Sequence, residues 1–257
     1  MRYVVLTTGS CGNCYVFYEN EEAIIIDDGV TYTKLSNELE RHEIPMESVK
    51  GMFLTHVHPD HSKGVGAFMR KTHLPVFVSS KCKEGCEVEL LKQRIKPEEL
   101  NSFEFGESVS LGGFSVTSVQ TSHDSVGSSG YFIQTSNSTI FLMTDTGVVP
   151  EEAYDYAQKA KLKFIESNYD DEMLDNGSYP EWLKNRVRGQ YGHLSNREAI
   201  DFANATSKRG DQVYFIHISD NNNMTSIIQA MVNKEIPSGI FVKALERGEM
   251  VGGFIDE

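Results

Sequence analysis

The sequence predicts an α/β protein built as a four-layer αββα sandwich, two β-sheets packed face to face with helices on both outer surfaces, in one domain over residues 1–257. Two observations predict it. Each half of the chain opens with short β-branched or aromatic runs separated by turn residues and continues with segments of helical period. No internal repeat, low-complexity tract or linker divides the 257 residues, and at 39% hydrophobic they suffice for one large core.

Taken in order, "RYVVLTT", "CYVFYEN" and "AIIID" are separated by Gly, Asn and Glu-Glu turns and read as an antiparallel meander. Tyr32, Leu35 and Leu39 then recur at helical spacing, and Pro45 closes that helix. "GMFLT" follows as a buried strand ending at Thr55. Further strands are expected at "PVFVS", "FSVTSVQT", "GYFIQTS", "TIFLMTD", "LKFIES", "QVYFIHIS" and "GIFVKA". Helices are expected near residues 82–93, 150–160, 180–188, 195–208 and 224–234.

The net charge of −13 weighs against nucleic acid and membrane surfaces as partners, although bound divalent cations reverse the charge locally. No apolar run approaches the roughly 18 residues of a membrane span, and the opening stretch is too short for a signal peptide, so a cytoplasmic location without a membrane partner is expected. Four cysteines in a chain of this length make no disulfide framework. Cys11 and Cys14 form a C-x2-C pair, and a zinc site from Cys11, Cys14, Cys82 and Cys86 is geometrically open. A redox pair is disfavoured, because Cys14 begins a strand and no helix N-terminus follows to stabilise a thiolate.

The stretch "FLTHVHPDHSKG" carries the strongest chemical signal. After the strand come His56, His58, Asp60 and His61, an H-x-H-x-D-H pattern. In an extended segment alternate residues share a side, so His56 and His58 can grip one metal together. Pro59 breaks the strand and turns Asp60 and His61 towards a second position. A solvated histidine-rich loop or a helix cap is the plain alternative, but three imidazoles so close repel on protonation unless a cation organises them. Imidazole and carboxylate donors suit zinc, manganese or iron. Lone residues at other strand ends, His123, Asp145 and His217, extend the set; singly each reads as a loop or turn residue, and together they read as ligands.

H-x-H-x-D-H followed by lone His, Asp and His at strand ends resembles the signature of the metallo-β-lactamase fold superfamily, over the whole chain. The resemblance implies that His56, His58 and His123 hold one divalent ion, that Asp60, His61 and His217 hold a second, and that Asp145 bridges both. It also implies that Asp27 in "IIIDDG" supports the ligand loop. "GSCGNCY" at the start, "ESNYDDEMLDNGSYP" and "GHLSNREA" are similar to the YycJ/WalJ group of exonuclease-like members. Many of that group have His where this chain has Tyr169, and Ser where it has Cys11. "GSCGN" then reads as a glycine turn bringing Ser10 or Asn13 to a substrate phosphate, with the cysteines as bystanders.

Two ions about 3.5 to 4 Å apart can hold a bridging hydroxide that attacks phosphorus or a carbonyl, with Asp60 both ligand and catalytic residue. His193 is the candidate proton donor to the leaving oxygen, and Ser195, Asn196 and the amides of the helix they open are candidate phosphate contacts. Ser195 as a plain helix cap and His193 as a loop residue is the alternative. Lys184, Arg186 and Arg188, with Trp182 and Tyr191 nearby, offer phosphate contacts and a stacking surface, or simply a solvated helix face. The resemblance implies a DNA exonuclease working from 5′ ends. Hydrolysis of a thioester, lactone or β-lactam on the same fold, and a non-catalytic metal-dependent binding module, are the alternatives.

Overall fold

The computed structural model describes residues 1–255. Fourteen strands form two mixed sheets among these residues. The first contains β1 (Arg2–Thr7), β2 (Cys14–Glu19), β3 (Glu22–Ile26), β4 (Val49–Phe53), β5 (Val76–Ser79) and β6 (Asn101–Phe103). The second contains β7 (Ser108–Leu111), β8 (Phe114–Gln120), β9 (Ser129–Gln134), β10 (Thr139–Met143), β11 (Leu162–Glu166), β12 (Gln212–Ile216) and β13 (Phe241–Ala244). The last strand, β14 (Val251–Phe254), returns to the first sheet and pairs with β1, giving the order β14-β1-β2-β3-β4-β5-β6 against β13-β12-β11-β10-β9-β8-β7.

Both sheets begin as an antiparallel meander and continue as parallel strands. Period-two alternation sorts the side chains. In β3, Ile24 and Ile26 face the other sheet while Ile25 faces the helices Tyr32–Arg41 and Val65–Thr72. The inter-sheet layer is aromatic, with Tyr3, Phe17 and Phe53 meeting Phe114, Tyr131 and Phe164. A third cluster packs the other face of the second sheet on the helices Glu151–Lys159, Asn196–Thr206 and Thr225–Glu235. These are the four layers of the αββα sandwich. No helix among the described residues is long and apolar enough to cross a membrane.

The differences from the sequence expectation are local. β4 ends at Phe53, not Thr55, because the Thr55 N–H leaves the ladder and donates to the Asp27 carboxylate at 2.7 Å. The single helix expected over 82–93 is two, Ser80–Gly85 and Glu87–Lys92, broken at Cys86. The helices Val65–Thr72 and Asp171–Asn176 and the strands β6, β7 and β14 are additions to the expected elements; the three strands are short edges of three or four residues with exposed positions in each.

Candidate metal centre and active site

The chemistry-bearing side chains sit where strands of both sheets end on one rim. Asp27 follows β3, His56 to His61 follow β4, His123 follows β8, Asp145 follows β10 and His217 follows β12. Asp27, Asp145 and His217 turn off their strands with left-handed backbones, φ +60°, +51° and +55°. A non-glycine residue adopts this conformation at a cost, and its occurrence at three neighbouring strand ends marks an over-determined site.

His56 Nε2 lies 3.1 Å from His58 Nδ1, which lies 3.2 Å from His123 Nε2. Two nitrogens bound tetrahedrally to one zinc at 2.0–2.1 Å are about 3.3 Å apart, so this triad has the spacing of ligands to a common ion. Asp60, His61 and His217 converge likewise: His61 Nε2 and His217 Nε2 each lie 3.7 Å from Asp60 Oδ2. His217 Nε2 is buried and has no hydrogen-bond partner among the described residues, which suits a lone pair aimed at a cation. Asp145 lies between the groups, Oδ2 3.2 Å from His61 Nε2 and Oδ1 3.6 Å from His123 Nε2.

A further ring of groups fixes which nitrogen faces inward. Fully buried Asp27 accepts from His61 Nδ1 at 2.7 Å and from the Thr55 hydroxyl at 2.8 Å. Fully buried Glu166, the last residue of β11, accepts from His217 Nδ1 and His193 Nδ1, each at 2.8 Å. Asp124 Oδ1 lies 3.5 Å from His58 Nε2, and its other oxygen accepts a bidentate pair from Arg186 at 2.9 and 2.5 Å. Carboxylate partners of this kind set tautomer and ring direction.

The acidic groups and burial divide the imidazoles into two electrostatic classes. Burial, reinforced by neighbouring imidazoles, holds His56 and His58 below the ordinary histidine range, so they present neutral nitrogens. For His61 burial opposes the charge, but Asp145, Asp27 and Asp60 outweigh it and push the pKa up to about 10. His193 is raised in the same way, Glu166 overcoming the penalty of burial. Burial alone would raise Glu166, yet His193 and His217 bring it down to about 2. Asp60, Asp145 and Glu166 together draw positive charge into the centre, and divalent cations fit that demand and this donor set.

Against the centre lies a pocket of about 250 Å³, lined by Asp60, Asp145, His193 and His217 of the centre and also by Ser10, Asn168, Tyr179, Leu183 and Arg186.

Residues 24–218 match the family described as beta-lactamase superfamily domain. The chain belongs to the beta-lactamase superfamily. It is 30% identical to exodeoxyribonuclease YycJ of Bacillus anthracis over 235 residues, 91% of this chain and 88% of that protein. It is 28% identical to exodeoxyribonuclease WalJ of Streptococcus pneumoniae, over 91% of this chain and 87% of that one. The metallo-β-lactamase fold protein YhfI of Bacillus subtilis superposes with a TM-score of 0.69 over 98% of this chain and 99% of that one, at 16% identity, a likeness of fold alone.

On this superfamily frame the structure brings His56, His58, Asp60, His61, His123, Asp145, His217 and His193 to one centre, with Asp27 behind them and Ser10 exposed at the rim. Three expected substrate contacts are elsewhere. Asn13 is fully buried; its oxygen accepts from the Gly9 N–H at 2.9 Å and its amide nitrogen lies 2.9 Å from His61 Nε2, so it braces the turn and the ligand loop. Ser195 caps its helix with Glu198 in a reciprocal box, and Asn196 spends its amide on Ser167 and Asn223. Ser195 is thus consumed by the backbone it caps and Asn196 by neighbouring side chains. Of the three expected cations only Arg186 lines the pocket: Lys184 is buried on the Asp175 carbonyl and Arg188 pairs with the Asp175 carboxylate. Trp182 is 68% exposed outside the pocket, and Tyr169 packs with Leu174 and Val187. No described cysteine joins a metal-type cluster; Cys11 is exposed, and Cys14, Cys82 and Cys86 are buried free thiols. Glu166 and Asp124 were not singled out in the sequence. The only signal for Glu166 is an acid at the end of the apolar run "KFIE", in the manner of Asp145 after "IFLM".

Proposed function

We propose that the protein is a metal-dependent nuclease, a DNA exonuclease acting from 5′ ends, with His56, His58 and His123 around one divalent cation, Asp60, His61 and His217 around a second, and Asp145 shared. The observation that carries the reading is the His193–Glu166 pair. His193 lines the same pocket as the ligand cluster, its Nδ1–H donating to the fully buried Glu166 behind it, which leaves Nε2 for substrate. An alkoxide leaves from phosphorus only with a proton or a cation, and a raised-pKa histidine is a suitable donor. The names of the YycJ and WalJ relatives support the same reaction class.

When bound, the cations supply Lewis acidity toward the phosphodiester and lower the pKa of a water that serves as nucleophile. The chain does the rest. Arg186, held in place by Asp124, supplies a cation to a non-bridging oxygen, and the Ser10 hydroxyl, in the same lining, donates to another. His193 passes the proton on Nε2 to the departing oxygen, while Glu166 fixes the ring and stabilises its charged form.

Metal analysis of the purified protein, joined to cleavage of 5′- and 3′-labelled single strands, tests this. Mononucleotides should leave from the 5′ end in the presence of the metal, and His58→Ala should lose both metal and activity. Failure of the folded, metal-loaded chain to cleave DNA or bis(p-nitrophenyl) phosphate would sink the reading.

A further inference from the structure

A second groove, of about 420 Å³, opens on the other side of His123 from the catalytic pocket. Three loops build it, and each also carries a residue of the centre: Val126 lies three residues after His123, Val148 three after Asp145, and Tyr191 two before His193. The loops are tied together. Ser122 donates its hydroxyl to the Gln190 carbonyl at 2.8 Å, the Gly147 N–H donates to the Ser122 carbonyl at 2.8 Å, and His123 Nδ1 lies 3.2 Å from the Gly192 carbonyl. Gly147 is required for this approach, since a Cβ there would lie 2.2 Å from the Gly189 carbonyl oxygen. The backbone is thus fixed, and among a mostly polar lining it presents three exposed side chains with apolar faces, Tyr191 60%, Val126 54% and Val148 47%.

Resting on the nuclease reading, we infer that this groove is a subsite for a nucleobase next to the scissile phosphate, with the base stacked on Tyr191. The occupant follows from charge. Among the described residues no lysine or arginine lines the groove and Glu152 does, so a phosphate is repelled while an uncharged aromatic ring is accepted. Position gives its place in the strand: Tyr191 and His193 are two residues apart, so their Cα atoms are within about 7 Å, and a base reaching Tyr191 belongs to a nucleotide adjoining the bond that His193 serves.

Cleavage of a labelled single-stranded oligodeoxynucleotide by the metal-loaded full chain tests this, with one abasic residue walked through the positions around the cleaved bond. In the wild type an abasic residue at one position beside that bond should raise KM about 5- to 150-fold, the range for loss of one base–aromatic stack. Tyr191→Ala should raise KM for the intact strand by a similar factor and erase the extra penalty at that position. Tyr191→Phe keeps the ring and should behave as wild type. An abasic penalty equal in wild type and Tyr191→Ala overturns the subsite, as does an unchanged KM of Tyr191→Ala on the intact strand. Equilibrium binding of the same strands to His58→Ala separates the two readings: a position-specific abasic penalty that disappears in the Tyr191→Ala/His58→Ala double variant supports the subsite even where no strand is cut, and only the hydrolytic reading then falls.

Discussion

Glu166 shows how much one buried carboxylate can organise. It takes the Nδ1–H groups that His193 and His217 turn away from the centre, together with the backbone N–H of Thr146 at 3.1 Å and of Leu194 at 3.2 Å, so four donors from three segments meet on one side chain. Glu166→Gln keeps the shape and loses the charge that raises the His193 pKa against the penalty of burial. DNA cleavage should fall about 10- to 100-fold, the usual cost of removing a carboxylate behind a metal-centre histidine. His193→Ala should lower it about 10²- to 10⁴-fold, the usual worth of a positioned acid. In both variants p-nitrophenyl phosphodiester hydrolysis should suffer much less, because p-nitrophenolate leaves without a proton. Steady-state comparison of the two substrates checks this, and equal losses on both would remove His193 from the acid role.

At the scale of elements, the ligand loop is held by backbone meeting backbone. The Asn13 N–H donates to the Asp60 carbonyl at 2.7 Å, the Gly29 N–H to the Asn13 carbonyl at 2.9 Å, and the Asp28 N–H to the His61 carbonyl at 2.9 Å. A Cβ on Gly29 would lie 1.7 Å from the Asp60 carbonyl oxygen, a contact with backbone that cannot swing away. Gly29→Ala should therefore cost about 3 kcal/mol or more of stability and lower metal content, read by thermal denaturation and metal analysis of the same sample. The β11–β12 pair holds a second test. Lys163, fully buried, donates to Asp211 at 2.7 Å and to the Ala160 carbonyl at 2.7 Å. Asp211→Ala leaves that ammonium buried beside no carboxylate and should cost about 3–5 kcal/mol, whereas Lys163→Met with Asp211→Leu should recover much of it; urea denaturation of the three chains decides.

These elements also mark what could be read in advance. H-x-H-x-D-H needs only six consecutive residues, and the strand-end His123, Asp145 and His217 follow apolar runs, so the ligand candidates were legible from local pattern. Glu166 was not, because its role comes from the β11–β12 register that sets it opposite Ile216 and so beside His217. Asn13 and Asn196 misled for the converse reason: side chains with free hydrogen-bonding capacity in the sequence are used up by neighbours in the fold. β14 escaped notice because "VGGF" has almost no side chain to show an alternation, and its place is fixed by β1 at the other end of the chain.

At the scale of the whole molecule, a chain of net charge −13 that engages a polyanion must do so locally. Among the described residues Arg186 is the only lysine or arginine lining the catalytic pocket, and the neighbouring groove has none. On the proposed reading most of this acidic surface repels the strand, so binding by the chain's own side chains falls to Arg186 and stacking on Tyr191, and few counterions should be released. The slope of log K against log salt for a single strand is about −0.7 per phosphate neutralised by the protein, so one to three such contacts predict a slope between about −0.7 and −2. Arg186→Ala should weaken binding and flatten that slope by about 0.7, whereas Tyr191→Ala should weaken binding and leave the slope as it was. Equilibrium titrations of His58→Ala with a labelled strand, from low to physiological salt, separate the two contributions. A slope steeper than about −4 would mean an extended cationic track that this surface does not have, and would move the strand away from the groove and pocket assigned to it.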